Sequence, residues 1–202
     1  MIIGTCSFGS TGSSAVSDFL AEYDDLQVLD NLEFTWVSRV DGLIDLERAV
    51  MHPHYRSFDS AAAIDRFLKN VQSAKKYFAT KGYAPEAFER SAADFVNAIT
   101  QCSWYGYRAD YSSDCLPVRY VKKRMQHKVI PKKEIKLQRR INCWPMEKKR
   151  LSVRPGNFYE AAKKHVGEVL TGLGADLSKT VVLDQVFSGN DPQACFPFFD
   201  DP

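Results

Sequence analysis

Between positions 7 and 14 the chain reads Ser-Phe-Gly-Ser-Thr-Gly-Ser-Ser. Side chains this small let a backbone come close to a ligand. Gly9, Ser10, Thr11, Gly12, Ser13 and Ser14 together offer backbone N–H groups and hydroxyls. Where such a loop opens a helix, its N–H groups converge on one point and the helix dipole favours an anion there. The chemistry is that of holding a phosphate group. An ordinary Gly/Ser turn that caps a helix is the other reading.

Two carboxylates come into view with this loop. Glu33, followed by Phe34, reads by itself as a surface carboxylate in a loop. Asp184 closes the run Thr-Val-Val-Leu-Asp. A carboxylate at such a strand end can hold a magnesium-bound water. The loop departs from the nucleotide-binding pattern G-x-x-x-x-G-K-S/T at two places. Ser7 stands where the first Gly would be, and Ser13 where the Lys would be.

The remaining candidates are weaker. His52-Pro53-His54 offers two nitrogen ligands, but no spacing of Cys or carboxylates completes a site. His127 lies in a basic stretch that could meet an anion, and His165 falls inside a helical pattern. The aromatic group Trp104, Tyr105, Tyr107 and Tyr111 could stack on sugar rings or simply pack. The five cysteines, Cys6, Cys102, Cys115, Cys143 and Cys195, are odd in number and lack a C-x-x-C pair. Small buried thiols in a reducing compartment are the expectation.

The elements that must position these groups alternate. Residues 2–6 are a short apolar run and read as a strand. Val16, Phe19, Leu20 and Tyr23 then recur at helix spacing. Residues 26–29 could form a second strand. Helices are expected at 41–51, at 59–78 behind Asp59 or Ser60, and at 85–102 with Pro85 at the start. Residues 103–118 read as loop, and 119–140 show no clean period. Asn157 to Glu160 reads as a capping box that opens a helix to about residue 173. Residues 180–185 read as a buried parallel strand. Strand-loop-helix at the start and helix-strand at the end predict an α/β fold with a parallel sheet flanked by helices. Ligands bind such sheets beyond the carboxyl ends of the strands.

Charge is segregated along the chain. Residues 1–60 carry a net −7, 61–117 a net +1, 118–154 a net +12 and 155–202 a net −4. The basic block suits an anionic partner, or is an irregular solvated excursion. No stretch of about 18 apolar residues suggests a spanning helix, and the N-terminus lacks the features of a secretory signal. A cytoplasmic location is the expectation.

Ser10-x-Gly12-Ser13-Ser14-Ala15 after a short strand resembles the 5′-phosphosulfate loop of sulfotransferases, written P-K/R-S-G-T-S/T. It is most similar to a divergent bacterial group with a Gly-Ser-x-Gly-Ser-Ser core, associated with surface polysaccharide modification. The resemblance implies a P-loop-type α/β fold. It implies transfer of a sulfuryl group from 3′-phosphoadenosine-5′-phosphosulfate to a carbohydrate hydroxyl or amine. Gly9 to Ser14 would hold the donor, and the chemistry requires no metal. Heparan-type sulfotransferases place a catalytic Glu about twenty residues past the loop. Glu33 lies twenty-one residues past Gly12 and by that resemblance is the general base.

The chain also departs from that family. Ser10 stands where the family has Lys or Arg, so the cation would come from Arg39 or the basic block. The family's segment for the 3′-phosphate, often R-D-P-R, has no counterpart before Pro202. The expectation is a single domain over 1–202, incomplete at its C-terminus, with 59–102 as a helical insertion. Two alternatives stay open. One is a P-loop kinase or NTPase, favoured by Asp184 and opposed by the missing Lys. The other is a non-catalytic polyanion-binding module on the basic block. Nucleic acid is disfavoured, since no known module pattern is present.

Overall fold

A computed structural model describes residues 1–7, 12–52, 59–106, 147–188 and 191–199. Along these the elements are β1 (Ile2–Ser7), α1 (Ser13–Leu20), β2 (Leu26–Glu33), α2 (Leu43–Met51), α3 (Asp59–Thr80) and α4 (Pro85–Ile99). Then come β3 (Cys102–Gly106), β4 (Glu147–Leu151), α5 (Phe158–Gly172), β5 (Thr180–Ser188) and a short 3₁₀ helix, Pro192–Phe198.

The protein is α/β. Its main sheet has three parallel strands in the order β1-β5-β2. The last strand in sequence is therefore the central one. That placement explains its composition: Val181, Val182, Leu183 and Val186 are all fully buried. A parallel strand covered on both faces reads as a continuous apolar run. Val181 and Leu183, two apart, join the main core, whereas Val182 between them does not. The pleat sends Val182 to the opposite face, the face that α1 crosses.

The other face carries the bulk of the protein. Helices α2 to α5 pack in succession and enclose Trp36, Phe67, Phe78, Phe88 and Phe95. Trp36 meets Phe88 edge-on at 5.1 Å and Phe67 at 5.4 Å. Such pairs add about 0.5–1.5 kcal/mol beyond the area they bury. The stretch after Pro85 is helical as its pattern predicts, but it stops at Ile99. Cys102 instead starts β3, which pairs antiparallel with β4. Trp104 and Tyr105 thus lie on a strand opposite Lys149 and Lys148, where a loop was the expectation.

Three local expectations are corrected. Asn157 caps α5 without a side-chain bond; its amide donates to the Ala98 carbonyl at 3.0 Å and so ties α5 to α4. The apolar stripe of α1 does not face the sheet: Val16, Phe19 and Tyr23 are 51%, 61% and 51% exposed, and Ser13 and Ser17 are buried instead. Small serines let the helix lie close to the strands. Of the described cysteines only Cys195 is buried; Cys6 and Cys102 are exposed thiols. Among the described residues no helix is long and apolar enough to cross a membrane.

Candidate functional site

The carboxyl ends of β1, β5 and β2 bring the chemically suggestive residues to one edge of the sheet. β1 runs into the Gly/Ser loop and α1 begins at Ser13. Gly9, Ser10 and Thr11 lie outside the described residues. Gly12 precedes the helix at φ +92°, the left-handed region that glycine tolerates best. It provides no side-chain cap. Every helix start presents N–H groups without intrahelical partners, and among the described residues no side chain caps those of α1. An open cavity of about 350 Å³ adjoins it, lined by Gly4, Thr5, Cys6, Gly12 and Ser13 among others. Ser17, one turn on, holds a buried hydroxyl with no hydrogen-bond partner among the described residues.

Asp184 is the centre of a small polar network. It is 9% exposed. Ser14 Oγ donates to Asp184 Oδ2 at 3.1 Å, and Thr5 Oγ1 donates to Oδ1 at 2.7 Å. Two hydroxyls from β1 and α1 thus satisfy one carboxylate from the central strand. The same Thr5 hydroxyl accepts the Gln185 backbone N–H at 2.9 Å. The ladder is irregular here. Gly4 pairs with Leu183 and Cys6 with Phe187, so Thr5 alone faces three residues of β5. Gln185 adopts φ +52°, unusual for a residue with a side chain.

Glu33 ends β2, in register with Asp184. The residue is exposed and closes a strand, where the simplest reading had it in a loop. The Phe34 N–H donates to the Asp184 carbonyl at 3.0 Å, which locks the two strand ends together. Phe34 and Trp36 are then buried as anchors. Gln185 Nε2 donates to Glu33 Oε1 at 3.3 Å. Tyr77 on α3 lies close by. Burial pushes its phenol above the ordinary value, and the Glu33 charge adds to this. A hydrogen bond with the Glu33 backbone and the charge of Arg39 pull the other way. Arg39, proposed from sequence as a substitute cation, lies with its guanidinium 6.0 Å from the Trp36 ring. It thus belongs to the same end of the sheet.

The other sequence candidates among the described residues do not join this edge. His165 is buried between aromatic rings, stacked on Phe95 at 5.6 Å. Its Nε2 accepts from Trp36 Nε1 at 3.0 Å. His52 pairs with Glu47 at 3.3 Å. His54, His127, Tyr107 and Tyr111 lie outside the described residues, as does most of the basic block. One lysine of that block, Lys149, is no surface charge: it is buried and bonded to Asp65 at 2.7 Å. Among the described residues no group of three His, Cys, Asp or Glu clusters as a metal site.

Thr5 is the member of the site that the sequence reading missed. A Thr three residues past the start of an apolar strand carries no motif. Its role appears only when β1 and β5 are neighbours. Comparison with family models, with curated proteins and with solved structures returned no match.

Proposed function

We propose that this edge of the sheet binds a phosphosulfate donor and transfers its sulfuryl group to a carbohydrate hydroxyl or amine. The observation that carries the reading is an arrangement of three parts. An uncapped helix start follows a small-residue loop at the end of β1, and Glu33 stands at the end of β2 with the central strand between them. The donor, 3′-phosphoadenosine-5′-phosphosulfate, fits the chemistry of the helix start: N–H groups without intrahelical partners, serine hydroxyls and a glycine that carries no Cβ.

In the reaction the acceptor oxygen forms a bond to sulfur and its proton passes to Glu33. The bond from sulfur to the bridging phosphate oxygen breaks, and adenosine 3′,5′-bisphosphate leaves with the electron pair. Negative charge spreads over the sulfuryl oxygens, and N–H donors fixed at the helix start stabilise it without reorganising. Arg39, whose charge reaches Tyr77 beside Glu33, would supplement them. A cytoplasmic location and a carbohydrate acceptor belong with this reading. Its test is transfer of radiolabelled sulfuryl to unsulfated oligosaccharides. Glu33→Gln should lower turnover by about 10²–10⁴-fold and leave bisphosphate affinity unchanged. Full turnover by this variant would remove Glu33 from the reaction.

A second reading has its own observation. Ser14 Oγ and Asp184 Oδ2 lie 3.1 Å apart. A hydroxyl on the first helical turn and a carboxylate on the adjacent strand are the pair that holds magnesium in nucleoside triphosphate sites. On that reading the chain is a kinase or NTPase, and Mg-ATP binds in place of the phosphosulfate.

A further inference from the structure

Gln185 occupies a position that is awkward for its residue type and is held there from two sides. Its φ of +52° is one of three positive values at non-glycine residues among those described. Thr5 Oγ1 accepts its backbone N–H at 2.9 Å and donates to Asp184 Oδ1 at 2.7 Å. On the far side, the Phe34 N–H binds the Asp184 carbonyl at 3.0 Å. The kink in β5 is therefore pinned by both neighbouring strands. Kinks and bulges of this kind re-aim a side chain, and strain of this kind persists only where its surroundings enforce it.

The re-aimed group is the Gln185 amide, which donates to Glu33 Oε1 at 3.3 Å. Among the described residues Glu33 has no ion-pair partner. A neutral amide has a chemical advantage over a cation in this place. A Lys or Arg would also orient the carboxylate, but it would hold off the very proton that a base must accept. An amide N–H fixes one oxygen and leaves the other to the acceptor hydroxyl.

We infer that Gln185 is a positioning residue for Glu33, placed by the Thr5-pinned kink so that its side-chain amide orients the carboxylate towards the acceptor. The inference rests on Glu33 being the base of the transfer reaction. It adds a residue to that reaction and a reason for the left-handed backbone within the central strand.

A double-mutant cycle tests it. Gln185→Met keeps the length and removes the donor. In the full chain it should lower kcat for sulfuryl transfer to unsulfated glucosamine-uronate oligosaccharides by about ten-fold, with KM for the donor unchanged. In a Glu33→Gln background the same change should cost less than about two-fold, because the group it positions is gone. Gln185→Gly relaxes the left-handed backbone. It should match or exceed the wild-type melting temperature while losing turnover as Gln185→Met does. That split excludes a merely structural role. Equal losses in both backgrounds, or no loss of kcat in either single variant, would overturn the inference. Calorimetry with adenosine 3′,5′-bisphosphate separates the two levels. Binding without coupling refutes the role of Gln185 alone. No binding by the wild-type chain refutes the donor site and this inference with it.

Discussion

Ser14 Oγ donates to Asp184 Oδ2 over 3.1 Å and so fastens the first turn of α1 to the middle of the central strand. The two residues are 170 positions apart in the chain. The contact exists because β5, last in sequence, inserts beside β1. With Thr5 on the other carboxylate oxygen, Asp184 becomes a clamp between loop, helix and sheet. The loop that would receive an anion is thus mounted on a fixed base.

The clamp should be measurable as stability. Thr5→Val removes a hydroxyl that serves both Asp184 and the Gln185 N–H. It leaves a nearly buried carboxylate short of a donor. The expected cost is about 1–3 kcal/mol, read from urea unfolding. Thr5→Ser keeps the hydroxyl and should lose less than about 1 kcal/mol. A Thr5→Val protein as stable as the wild type would show that the network does not hold the strand ends.

His165 makes stability depend on pH in a stated direction. Trp36 Nε1 can only donate, so Nε2 of His165 accepts at 3.0 Å. The ring proton is then on Nδ1 and points to Ser91 Oγ at 2.7 Å. Burial lowers the imidazole pKa from 6.5 to about 3. The unfolded chain regains the ordinary value and binds a proton that the folded chain refuses. The His165 contribution is therefore complete above about pH 6.5 and is lost as pH falls towards about 3, at up to about 1.4 kcal/mol per unit. Urea unfolding at several pH values should show this slope in the wild type. It should be absent from the corresponding His165→Gln series, once the carboxylates common to both are subtracted. Identical slopes would mean that the ring titrates normally in the fold.

Much of the fold was legible because its cause was local. Pro85 starts α4 as its fixed φ favours. The apolar run of β5 announced a covered strand, and the stripe from Ile64 to Phe78 announced the core face of α3. Failures came where a distant partner decides. Val16, Phe19 and Tyr23 have helical spacing, but the sheet accepts the serine side of α1 because only small residues allow its close approach. Glu147–Leu151 is too charged to read as a strand, yet it pairs with β3 and buries Lys149 against Asp65. Glu33 and Asp184 were visible as carboxylates with chemical potential. Their common register was not visible, since it depends on which strand lies between which.

Gly12→Val separates loop function from loop folding. A Cβ at Gly12 would meet nothing within 4 Å. Among the described residues the added Cβ therefore meets no neighbour, and the cost expected is that of a left-handed backbone, roughly 1–2 kcal/mol. Circular dichroism should retain the α/β signature. Affinity for adenosine 3′,5′-bisphosphate should fall at least about ten-fold, because the branched side chain shields the helix start. A variant that binds as the wild type does would place the donor elsewhere.

The central claim is that the start of α1 receives a phosphosulfate-type donor, and thermal unfolding with two nucleotides tests it most directly. Adenosine 3′,5′-bisphosphate at about 100 times its Kd should stabilise the chain by about 2.7 kcal/mol, a rise in Tm of about 5–10 °C. Mg-ATP at the same concentration should give a smaller rise. A clear shift with Mg-ATP and none with the bisphosphate would contradict the account and favour the magnesium-nucleotide reading of Ser14 and Asp184.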